Sequence, residues 1–540
     1  MSGKHNLDCI IIGHNDLDFH SIENDLVRTQ HYSGAYADLK MNTVDYHGER
    51  MPYMSLLNRV LDKATGVTNN LHLCELPHLG AVYLKSFLCK RGFKVEIINF
   101  FNAEKERLLR LLDQGASAIA ITTTLYIHHE PIVDIIKFIR RYNKSVKIIV
   151  GGPHILNLCS TVDVTGRDFI FREIGADFYI NDSQGELTLA RVVTELRNTK
   201  GQNFSSIPNL LYSEGKKYLS TNRAVENNDM NENSINWGNF DTDFCKPTVQ
   251  IRTARSCAFK CSFCRYPATA GQLNLTSIDV IEQELSLLHE MGVKNIVFID
   301  DTFNVPLQRF KDICKMMIKK KFDFNWFSFF RCSNSDDQAF DLMMESGCRG
   351  VFLGIESGDP NILKLMNKAA NPERYQYGIK KLKERGILTF ASVIVGFPGE
   401  TDASVHNTMK LLEEASPTFY RAELYYHYTN VPIHNQAEAL GISSAGYSWK
   451  HNTMDWRRAI EHVNEMYKTL KGPIILPSYM FDFWSIPYLI GKGMTVDQII
   501  GFASHAQQIL LRGIEEPCPN IDEQETALIS MLRSFNTNVE

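Results

Sequence analysis

Residues 248–264 read TVQIRTARSCAFKCSFC. The stretch begins as an apolar strand and ends in three cysteines, Cys257, Cys261 and Cys264, at CxxxCxxC spacing. Three thiolates on one short loop can hold three irons of a [4Fe-4S] cube and leave the fourth iron open to bind a substrate. A zinc knuckle is the alternative, but the sequence offers no fourth Cys or His at ligand spacing nearby. The stretch therefore predicts an iron–sulfur loop at the end of a strand.

Downstream of this loop the chain alternates short apolar runs with helical periods. The runs predict strands at 248–254, 295–300, 326–332, 350–355, 389–395 and 421–426. The intervening helices are predicted at 277–291, 307–320, 337–346, 361–366, 373–385 and 405–414. These units close most economically as a partial (β/α)₆ barrel over residues 247–440. A mainly helical domain is expected at 441–540.

The first third of the chain also alternates strands and helices. Strands are predicted at 8–13, 94–100, 118–124 and 147–150, with a weaker one at 177–181. Together with amphipathic helices they make residues 1–204 a doubly wound α/β domain. An insertion from about Leu17 to Pro77 is too long for a loop, so we expect a cap or subdomain there. Polar and turn residues predict a linker at 205–246.

The composition is that of an ordinary globular protein. Hydrophobic residues make up 44% and charged residues 22%, and the net charge of −5 gives no bulk attraction to nucleic acid or anionic lipid. Twelve cysteines in 540 residues are too few for a secreted disulfide scaffold. No apolar run reaches the roughly 18 residues of a membrane span, and no signal-peptide pattern is found. We therefore expect a soluble, cytoplasmic protein with neither nucleic acid nor membrane as a partner.

The cysteine loop and the strand ends after it resemble those of the radical S-adenosylmethionine (SAM) enzymes. In that family the open iron chelates the amino and carboxylate groups of SAM, which is cleaved reductively to a 5′-deoxyadenosyl radical. The aromatic Phe263 before the last cysteine fits this resemblance. Matching positions imply SAM contacts at Asp300 and Asp301 after the second strand, Glu356 after the fourth, and Gly396 in GFPGET after the fifth. Taken singly, each also suits a helix cap or a turn.

The first domain resembles the cobalamin-binding domain of cobalamin-dependent radical SAM enzymes. GGPH after the fourth strand, a Gly-Glu pair after the fifth, and PHLG at 77–80 carry the resemblance. Bare backbone at strand ends lets a nucleotide tail approach, although GGPH also suits a plain strand-to-helix turn. The implied cobalamin contacts are Thr122, Thr123, Thr124, Tyr126, Gly151, Gly152, Pro153, His154, Gly185 and Glu186. No complete Asp-x-His-x-x-Gly motif is found, so no axial cobalt ligand is assigned.

Three shorter stretches suggest a narrower resemblance. YSGAYADLK at 32–40, MPYMSLLNRV at 51–60 and WKHNTM at 449–454 look like the P-methyltransferases of phosphinothricin tripeptide biosynthesis and their relatives. The last of these also suits simple packing of the C-terminal helices. The resemblance implies a class B radical methyltransferase. It would move a methyl group from methylcobalamin to an unactivated carbon or a phosphinate phosphorus of a natural-product or peptide substrate.

The substrate side is less defined by the sequence. Tyr425, Tyr426 and His427 end the sixth strand and are expected to line the substrate cavity with the insertion and the C-terminal region. No catalytic base is singled out. The resemblance implies an external electron donor of the flavodoxin or ferredoxin type. Two alternatives stay open: a non-methylating oxidative rearrangement or cyclisation with the same cofactors, and a cobalamin or redox sensor that acts through partner binding. A nucleic-acid-modifying enzyme is a third, which the net charge of −5 and the lack of a long basic stretch disfavour.

Overall fold

The computed structural model describes residues 7–16, 18–30, 33–198, 202–215, 217–477, 479–516 and 518–535. Leu17 of the predicted insertion and Tyr32 of YSGAYADLK lie outside the described residues, as do both ends of the chain. The chain divides into two compact units. The amino-terminal unit comprises Met1–Asp18, Cys74–Phe244 and Leu275–Leu287, and the barrel unit comprises Phe19–Leu73, Cys245–Asn274 and Leu288–Glu540.

The strands of the described residues follow in chain order. They are β1 (Leu7–His14), β2 (Val44–Tyr46), β3 (Glu49–Met51), β4 (Val95–Phe100), β5 (Ala116–Thr122), β6 (Lys147–Gly151), β7 (Phe178–Ile180), β8 (Leu210–Glu214), β9 (Lys217–Ser220), β10 (Thr248–Ile251), β11 (Ala254–Arg255), β12 (Asn274–Leu275), β13 (Asn295–Phe298), β14 (Asn325–Phe329), β15 (Cys348–Glu356), β16 (Leu388–Val395), β17 (Phe419–Leu424) and β18 (Ile474–Ile475).

The helices follow in the same way. They are α1 (Phe19–Gln30), α2 (Gly34–Met41), α3 (Tyr53–Thr65), α4 (Leu79–Cys89), α5 (Lys105–Asp113), α6 (Glu130–Tyr142), α7 (Pro153–Thr161), α8 (Val164–Ile174), α9 (Glu186–Arg197), α10 (Thr242–Cys245), α11 (Tyr266–Ala270), α12 (Ile278–Glu290), α13 (Leu307–Lys320), α14 (Asp337–Glu345), α15 (Pro360–Leu365), α16 (Pro372–Glu384), α17 (Asp402–Ala415), α18 (Ala437–Leu440), α19 (Trp456–Thr469), α20 (Ser485–Gly491), α21 (Val496–Glu515) and α22 (Asp522–Leu532). Short 3-10 turns occur at Leu73–Glu75, Phe204–Ser206, Trp237–Asn239, Cys332–Asn334 and Pro432–Gln436. Among the described residues, no helix is both long and apolar enough to cross a membrane.

The amino-terminal unit is built on a seven-stranded sheet in the order β4-β1-β5-β6-β7-β8-β9. β1 runs parallel to both of its neighbours, with Ile11 opposite Ile97 and Ala120. Its parallel strands, β1 and β4 to β7, are largely apolar because helices cover both faces of a parallel sheet, and Ile119 is fully buried. From β1 the chain goes to β4 on one side and then to β5 on the other. The carboxyl ends of β1 and β5 therefore flank the switch point at which such sheets bind ligands.

Residues 205–246, predicted as a linker, contribute two strands to this sheet. β8 pairs antiparallel with β7, and β9 pairs antiparallel with β8. Leu210 and Leu211 are buried, whereas the following residues of β8 and β9 are mostly exposed. A strand with so few buried positions carries little apolar pattern, which is why the sequence reads as a linker here.

The barrel unit contains a second seven-stranded sheet, in the order β10-β13-β14-β15-β16-β17-β18. All of its neighbouring strands are parallel. Its first six strands correspond to the six predicted ones, so the predicted fold class of a doubly wound domain, a partial barrel and a helical C-terminal region is confirmed. β18 adds a seventh strand that was not predicted. A strand of two residues is too short to give a periodic signal in the sequence.

The long insertion belongs to the barrel unit and not to the domain that it interrupts in sequence. Its α3 is amphipathic and packs against α22. Tyr53, at the start of α3, is fully buried with its ring centroid 5.8 Å from that of Phe481 and 6.1 Å from that of Phe502. An amphipathic helix packs against an apolar surface that its own sequence does not identify. For this reason the sequence did not show that the insertion belongs to the barrel unit.

Candidate functional site

The cluster loop, residues 257–264, is fastened to two neighbouring segments by hydrogen bonds. Ser262 donates its backbone N–H to the Met366 carbonyl at 2.9 Å and its hydroxyl to the Leu365 carbonyl at 2.8 Å. The carbonyl of Ser262 accepts the N–H of Ile433 at 2.8 Å. These bonds fix the centre of the loop, so the cysteines on either side of it have defined positions.

Two cationic side chains, Lys368 and Arg331, lie near Cys261 of the cluster loop. None of the three loop cysteines forms a disulfide; Cys261 is buried, and Cys257 and Cys264 are half-buried. Burial raises the pKa of Cys261, while the charges of Lys368 and Arg331 oppose the rise. The Nη2 atom of Arg331 is buried without a hydrogen-bond partner. A buried guanidinium nitrogen of Arg331 without a partner, close to Cys261, fits a cluster that is negatively charged with its thiolate ligands.

The two acids after β13 have different surroundings. Asp300 is buried and accepts the N–H of Thr253 at 2.6 Å, the hydroxyl of Thr253 at 2.5 Å and the N–H of Ala254 at 3.0 Å. Both of its carboxylate oxygens therefore hold the turn that leads from β10 toward the cluster loop. Asp301 is exposed, and the hydroxyl of Thr302 beside it lies 3.4 Å from the Cys257 Sγ.

Glu356 ends β15 in a left-handed conformation, with φ of 63°. Its carboxylate is bound by the Lys368 ammonium at 2.6 Å, and the two side chains are only 12% and 10% exposed. The same ammonium lies 5.6 Å from the ring centroid of Phe263 on the cluster loop. A left-handed glutamate costs about 1 kcal/mol or more and persists where its surroundings hold it. Lys368, which no motif indicates, thus connects Glu356 with the cluster loop.

The turn after β16 is packed beneath the WKHNTM segment. Gly396 has φ of 92°, and a Cβ there would lie 2.4 Å from the Trp449 ring. Trp449 is fully buried, donates its Nε1 hydrogen to the Tyr425 carbonyl at 2.6 Å, and stacks on His451 with ring planes 2° apart. Glu400 accepts the N–H of Gly396 at 2.6 Å, and burial raises the pKa of Glu400 to about 8. The segment therefore completes the wall of the barrel at this turn.

The residues after β17 divide between two faces. Tyr425 and His427 are buried, with the Tyr425 hydroxyl 3.0 Å from His427 Nδ1. His427 Nε2 in turn lies 3.1 Å from Nδ1 of His434, a residue that sequence analysis missed. Tyr426 lies between them and is 40% exposed, because side chains alternate along an extended chain. The structure thus groups Tyr425 with His427 and separates Tyr426 from both.

In the amino-terminal unit, side chains after β5 converge on the end of β1. Thr122 and Tyr126 both donate to the Gly13 carbonyl, at 3.3 and 3.4 Å. The Thr122 hydroxyl also lies 3.3 Å from Nε2 of His78, which caps α4 by accepting the N–H of Ala81. The polar side chains at the carboxyl ends of β1 and β5 are therefore already hydrogen-bonded to one another or to the backbone.

The loop that follows β5 presents apolar side chains to solvent. Thr124 is exposed, and Leu125 and Ile127 are 65% and 85% exposed. Uncovered apolar side chains at the ligand-binding edge of a doubly wound sheet suit a broad ligand with an apolar face. They fit the macrocycle of cobalamin.

The GGPH turn after β6 is locked to Thr123. Thr123 donates its N–H and its hydroxyl to the Gly151 carbonyl at 3.0 and 3.1 Å, and its hydroxyl accepts the N–H of His154 at 3.2 Å. Gly152 has φ of 117°, and a Cβ there would lie 2.8 Å from Thr123 Oγ1; Pro153 begins α7. Nε2 of His154 is buried without a partner, and burial lowers the pKa of His154 to about 4. A buried imidazole nitrogen without a hydrogen-bond partner, next to glycine backbone, could form a hydrogen bond with a polar group of a ligand.

The Gly-Glu pair lies at the start of α9, where a loop carboxylate already binds. Gly185 has φ of 74° and precedes the helix. Glu226 accepts the N–H of Thr188 at 2.7 Å and so occupies the helix N-terminus. Asn228 bridges Glu226 and Glu186, donating to each at 2.9 Å. The structure therefore places Glu186 in an internal network at this strand end.

Two family models match the chain, in the order that the two folds predict. Residues 73–173 match the B12 binding domain, and residues 251–412 match the Radical SAM superfamily. An uncharacterized methyltransferase of Pyrococcus horikoshii is 28% identical over 394 residues, which cover 71% of this chain and 81% of that protein.

Two solved structures share the fold. The radical SAM methyltransferase TsrM from Kitasatospora setae, with a tryptophan substrate and a SAM analog bound, has a TM-score of 0.55 and 18% identity, covering 72% of this chain and 77% of that one. The cobalamin-dependent SAM radical enzyme OxsB, with aqua-cobalamin and SAM bound, has a TM-score of 0.58 and 14% identity, covering 86% and 82%. The two matched domains imply a [4Fe-4S] cluster, SAM and cobalamin as cofactors. The chain therefore carries a B12-binding domain followed by a radical SAM domain, and it is an enzyme.

Proposed function

We propose that this enzyme transfers a methyl group to an unactivated carbon or a phosphinate phosphorus of a small-molecule or peptide substrate. The observation that carries the proposal is that one chain contains two kinds of site. One is a three-cysteine loop held in place by hydrogen bonds, and the other is a sheet edge with glycine backbone and exposed apolar side chains. When bound, the cofactors would supply one-electron chemistry and a transferable methyl group. Polar methyl transfer to nitrogen or oxygen needs neither of these. The Pyrococcus relative and TsrM are both described as methyltransferases, which supports the proposal.

In this proposal the barrel end holds the cluster and SAM. Cys257, Cys261 and Cys264 ligate the cluster. SAM contacts Phe263, Asp301, Glu356 and the Gly396 turn, and Asp300 holds the turn before the cluster loop in place. Lys368 positions Glu356 by pairing with its carboxylate. Reduction comes from an external donor of the flavodoxin or ferredoxin type.

The cobalamin edge is proposed from the amino-terminal unit. Its contacts are the β5 end from Thr122 to Tyr126, the GGPH turn at 151–154, and the backbone at Gly185. Among these groups, Nε2 of His154 is buried without a hydrogen-bond partner, so we expect it to bond with cobalamin. Glu186 contributes by holding Asn228 and not by direct contact.

A non-methylating oxidative rearrangement or cyclisation is the second candidate. It would use the same cofactors and the same residues. The observation that favours it is that OxsB, with the higher TM-score of the two solved structures, is described as a radical enzyme and not as a methyltransferase.

Product counting with reconstituted holoenzyme tests the two against each other. SAM, a reductant and extracts containing phosphinates or peptides are supplied, and products are followed by mass spectrometry. Methyl transfer predicts S-adenosylhomocysteine, 5′-deoxyadenosine and methylated product at about 1:1:1, since one SAM serves each role. An altered but unmethylated product, with 5′-deoxyadenosine and no S-adenosylhomocysteine, would replace the proposal with the second candidate. Absence of any SAM cleavage would favour a sensor.

Electron paramagnetic resonance of the Co(II) form tests the cobalamin edge separately. We expect no nitrogen superhyperfine splitting from an axial imidazole. A clear splitting would show a protein ligand, and variants of His154 and His128 would then identify it. His20 and His47 are weaker suspects, because they lie in the barrel unit and pair there with Glu49 and Glu525.

A further inference from the structure

Three tyrosine rings form a cage just after β17. Tyr426 and Tyr428 lie on the same side of the extended chain because they are two residues apart, and their ring centroids are 4.5 Å apart. Tyr447 approaches Tyr426 edge-on, with centroids 4.9 Å apart. Tyr426 and Tyr428 are 40% and 53% exposed. We call these three residues the tyrosine cage, and the rings of Tyr426 and Tyr428 are accessible to solvent.

Backbone pairing holds the cage in place. His427 and Gly446 exchange two hydrogen bonds of 3.0 Å, which brings Tyr447 opposite Tyr426. Gly446 has φ of 66°, and its missing Cβ would lie 3.6 Å from the Tyr426 hydroxyl. The rings are therefore pre-organised by the fold, which lowers the entropic cost of binding a ligand against their exposed faces.

Two carboxylates from distant parts of the chain adjoin the cage. Asp38 on α2 accepts the hydroxyl hydrogen of Tyr447 at 3.2 Å. Burial raises the pKa of Asp38 to about 7, and the nearby charge of Glu423 adds to the rise. The charge of Glu423 also raises the pKa of Tyr428 and of Tyr447, although burial is the larger cause for both. The cage and both acids thus share one small region of the barrel unit.

The charges in this region do not balance. Arg421 on β17 forms an ion pair with Glu423. Asp38 receives only neutral donors among the described residues, namely Tyr447 and, at 3.4 Å, the Asn42 side chain. When Asp38 is ionised, two carboxylates face one guanidinium. A monovalent cation bound beside Asp38 would neutralise the remaining negative charge and oppose the rise in the pKa of Asp38.

We propose that the tyrosine cage, with Asp38 and Glu423, binds a cationic amine of the substrate. The inference rests on the proposed function, in that the occupant is taken to be the molecule that is modified. Ammonium groups are attracted to the faces of aromatic rings, and more strongly where the site is partly shielded from water. Walls made of rings favour an organic cation over a hydrated metal ion. Asp38 comes from the insertion, so the insertion supplies one side of the substrate site.

Binding of a simple cation to the holoenzyme tests this without turnover. The probe is benzyltrimethylammonium, and phenylacetate and benzyl alcohol carry the same ring with negative and no charge. Ligand-observed NMR titrations give dissociation constants. We expect saturable binding of the cation, at least tenfold tighter than that of either control, and no competition by Mg²⁺.

Variants locate the site. Asp38→Asn and Tyr428→Leu are each expected to weaken binding of the cation at least tenfold, whereas Tyr428→Phe, which keeps the ring, stays within threefold. Matched controls are Glu413→Gln on α17 and Tyr142→Leu on α6, both exposed and remote from the cage in sequence. Iron content and circular dichroism establish that each variant is folded.

Three results would overturn the inference: equal binding of the neutral probe, unchanged binding in Asp38→Asn and Tyr428→Leu, or no saturable binding of the cation. Displacement of the probe by Mg²⁺ would assign the acids to a metal ion instead. None of these depends on SAM cleavage. If methyl transfer fails while the cation still binds at the cage, the reaction proposal fails and the binding site stands.

Discussion

The carboxyl edges of the two sheets are built differently. In the barrel unit, the cluster loop is held by donors and acceptors from the segments around Leu365 and Ile433, so three side chains have set positions. In the amino-terminal unit, the edge offers bare backbone at Gly152 and exposed side chains at Leu125 and Ile127. Covalent ligation needs fixed side chains, and a large organic cofactor needs open surface. We therefore expect substitutions at the barrel edge to affect iron binding, and substitutions at the amino-terminal edge to affect cobalamin binding.

The largest effect is expected from removing the three thiols together. Replacing Cys257, Cys261 and Cys264 with Ala should abolish iron binding and SAM cleavage, because no other group of the loop can ligate iron in their place. Cobalamin retention, measured by absorbance after gel filtration, should be unchanged. A control replaces Cys89, Cys159 and Cys518 with Ala. Full iron content in the first variant would refute the cluster assignment.

A smaller but still large effect is expected at Lys368. Lys368→Met leaves the Glu356 carboxylate without its cation in a mostly buried position, which costs about 3–5 kcal/mol for a fully buried pair and somewhat less here. Chemical denaturation should show the loss. Adding Glu356→Gln should recover part of it, since the unpaired charge is then gone. Lys364→Met, at an exposed position of α15, is the control. Equal stability of Lys368→Met and Lys364→Met would contradict the ion-pair argument.

Gly152 allows the open edge to be altered without touching the cluster. Gly152→Ala should weaken cobalamin binding at least tenfold and cost about 1–3 kcal/mol, because its Cβ would meet Thr123 Oγ1 at 2.8 Å with φ of 117°. Gly92→Ala is a matched control, with φ of 78° and no atom within 4 Å of the new Cβ. Iron content should be the same in both. Similar cobalamin affinity in the two variants would show that the GGPH turn does not contact the cofactor.

The smallest effect concerns one anchor of the cluster loop. Ser262→Ala removes the hydroxyl bond to Leu365 but keeps the backbone bond to Met366, so about 0.5–1.5 kcal/mol of stability should be lost. Iron should still bind, with faster loss on exposure to air. Ser160→Ala removes a comparable bond at an exposed position and serves as control. If the cluster survives equally long in air in Ser262→Ala and Ser160→Ala, the Ser262 hydroxyl does not anchor the cluster loop.

Local spacing explains which features could be predicted from the sequence. The cysteines, the six main barrel strands and the GGPH turn lie in short continuous stretches, where periodicity and spacing are visible. Asp300 was predicted as a ligand contact, and its oxygens instead hold Thr253 and Ala254. An acid after a strand looks the same in both roles, because the partner that decides between them is set by folding.

Groups assembled from distant segments could not be predicted. Lys368 lies in a loop with no periodic pattern, and only the folded chain brings its ammonium to Glu356 and Phe263. Asp38 and Tyr447 meet across most of the chain length. For the same reason the docking of α3 on α22 was not foreseen, since an amphipathic helix shows that it has a buried face but not which surface covers it.

The placement of residues 19–73 in the barrel unit also affects how the chain is made. This segment leaves the ribosome early, but the helices that pack against α3 include α21, whose Phe502 contacts Tyr53, and α22, both far along the chain. At about 5–20 residues per second, its apolar face waits for tens of seconds before those helices are synthesised. We therefore expect nascent chains of this protein to expose this apolar face until α21 and α22 are made, and chains that stop before α21 to leave it uncovered.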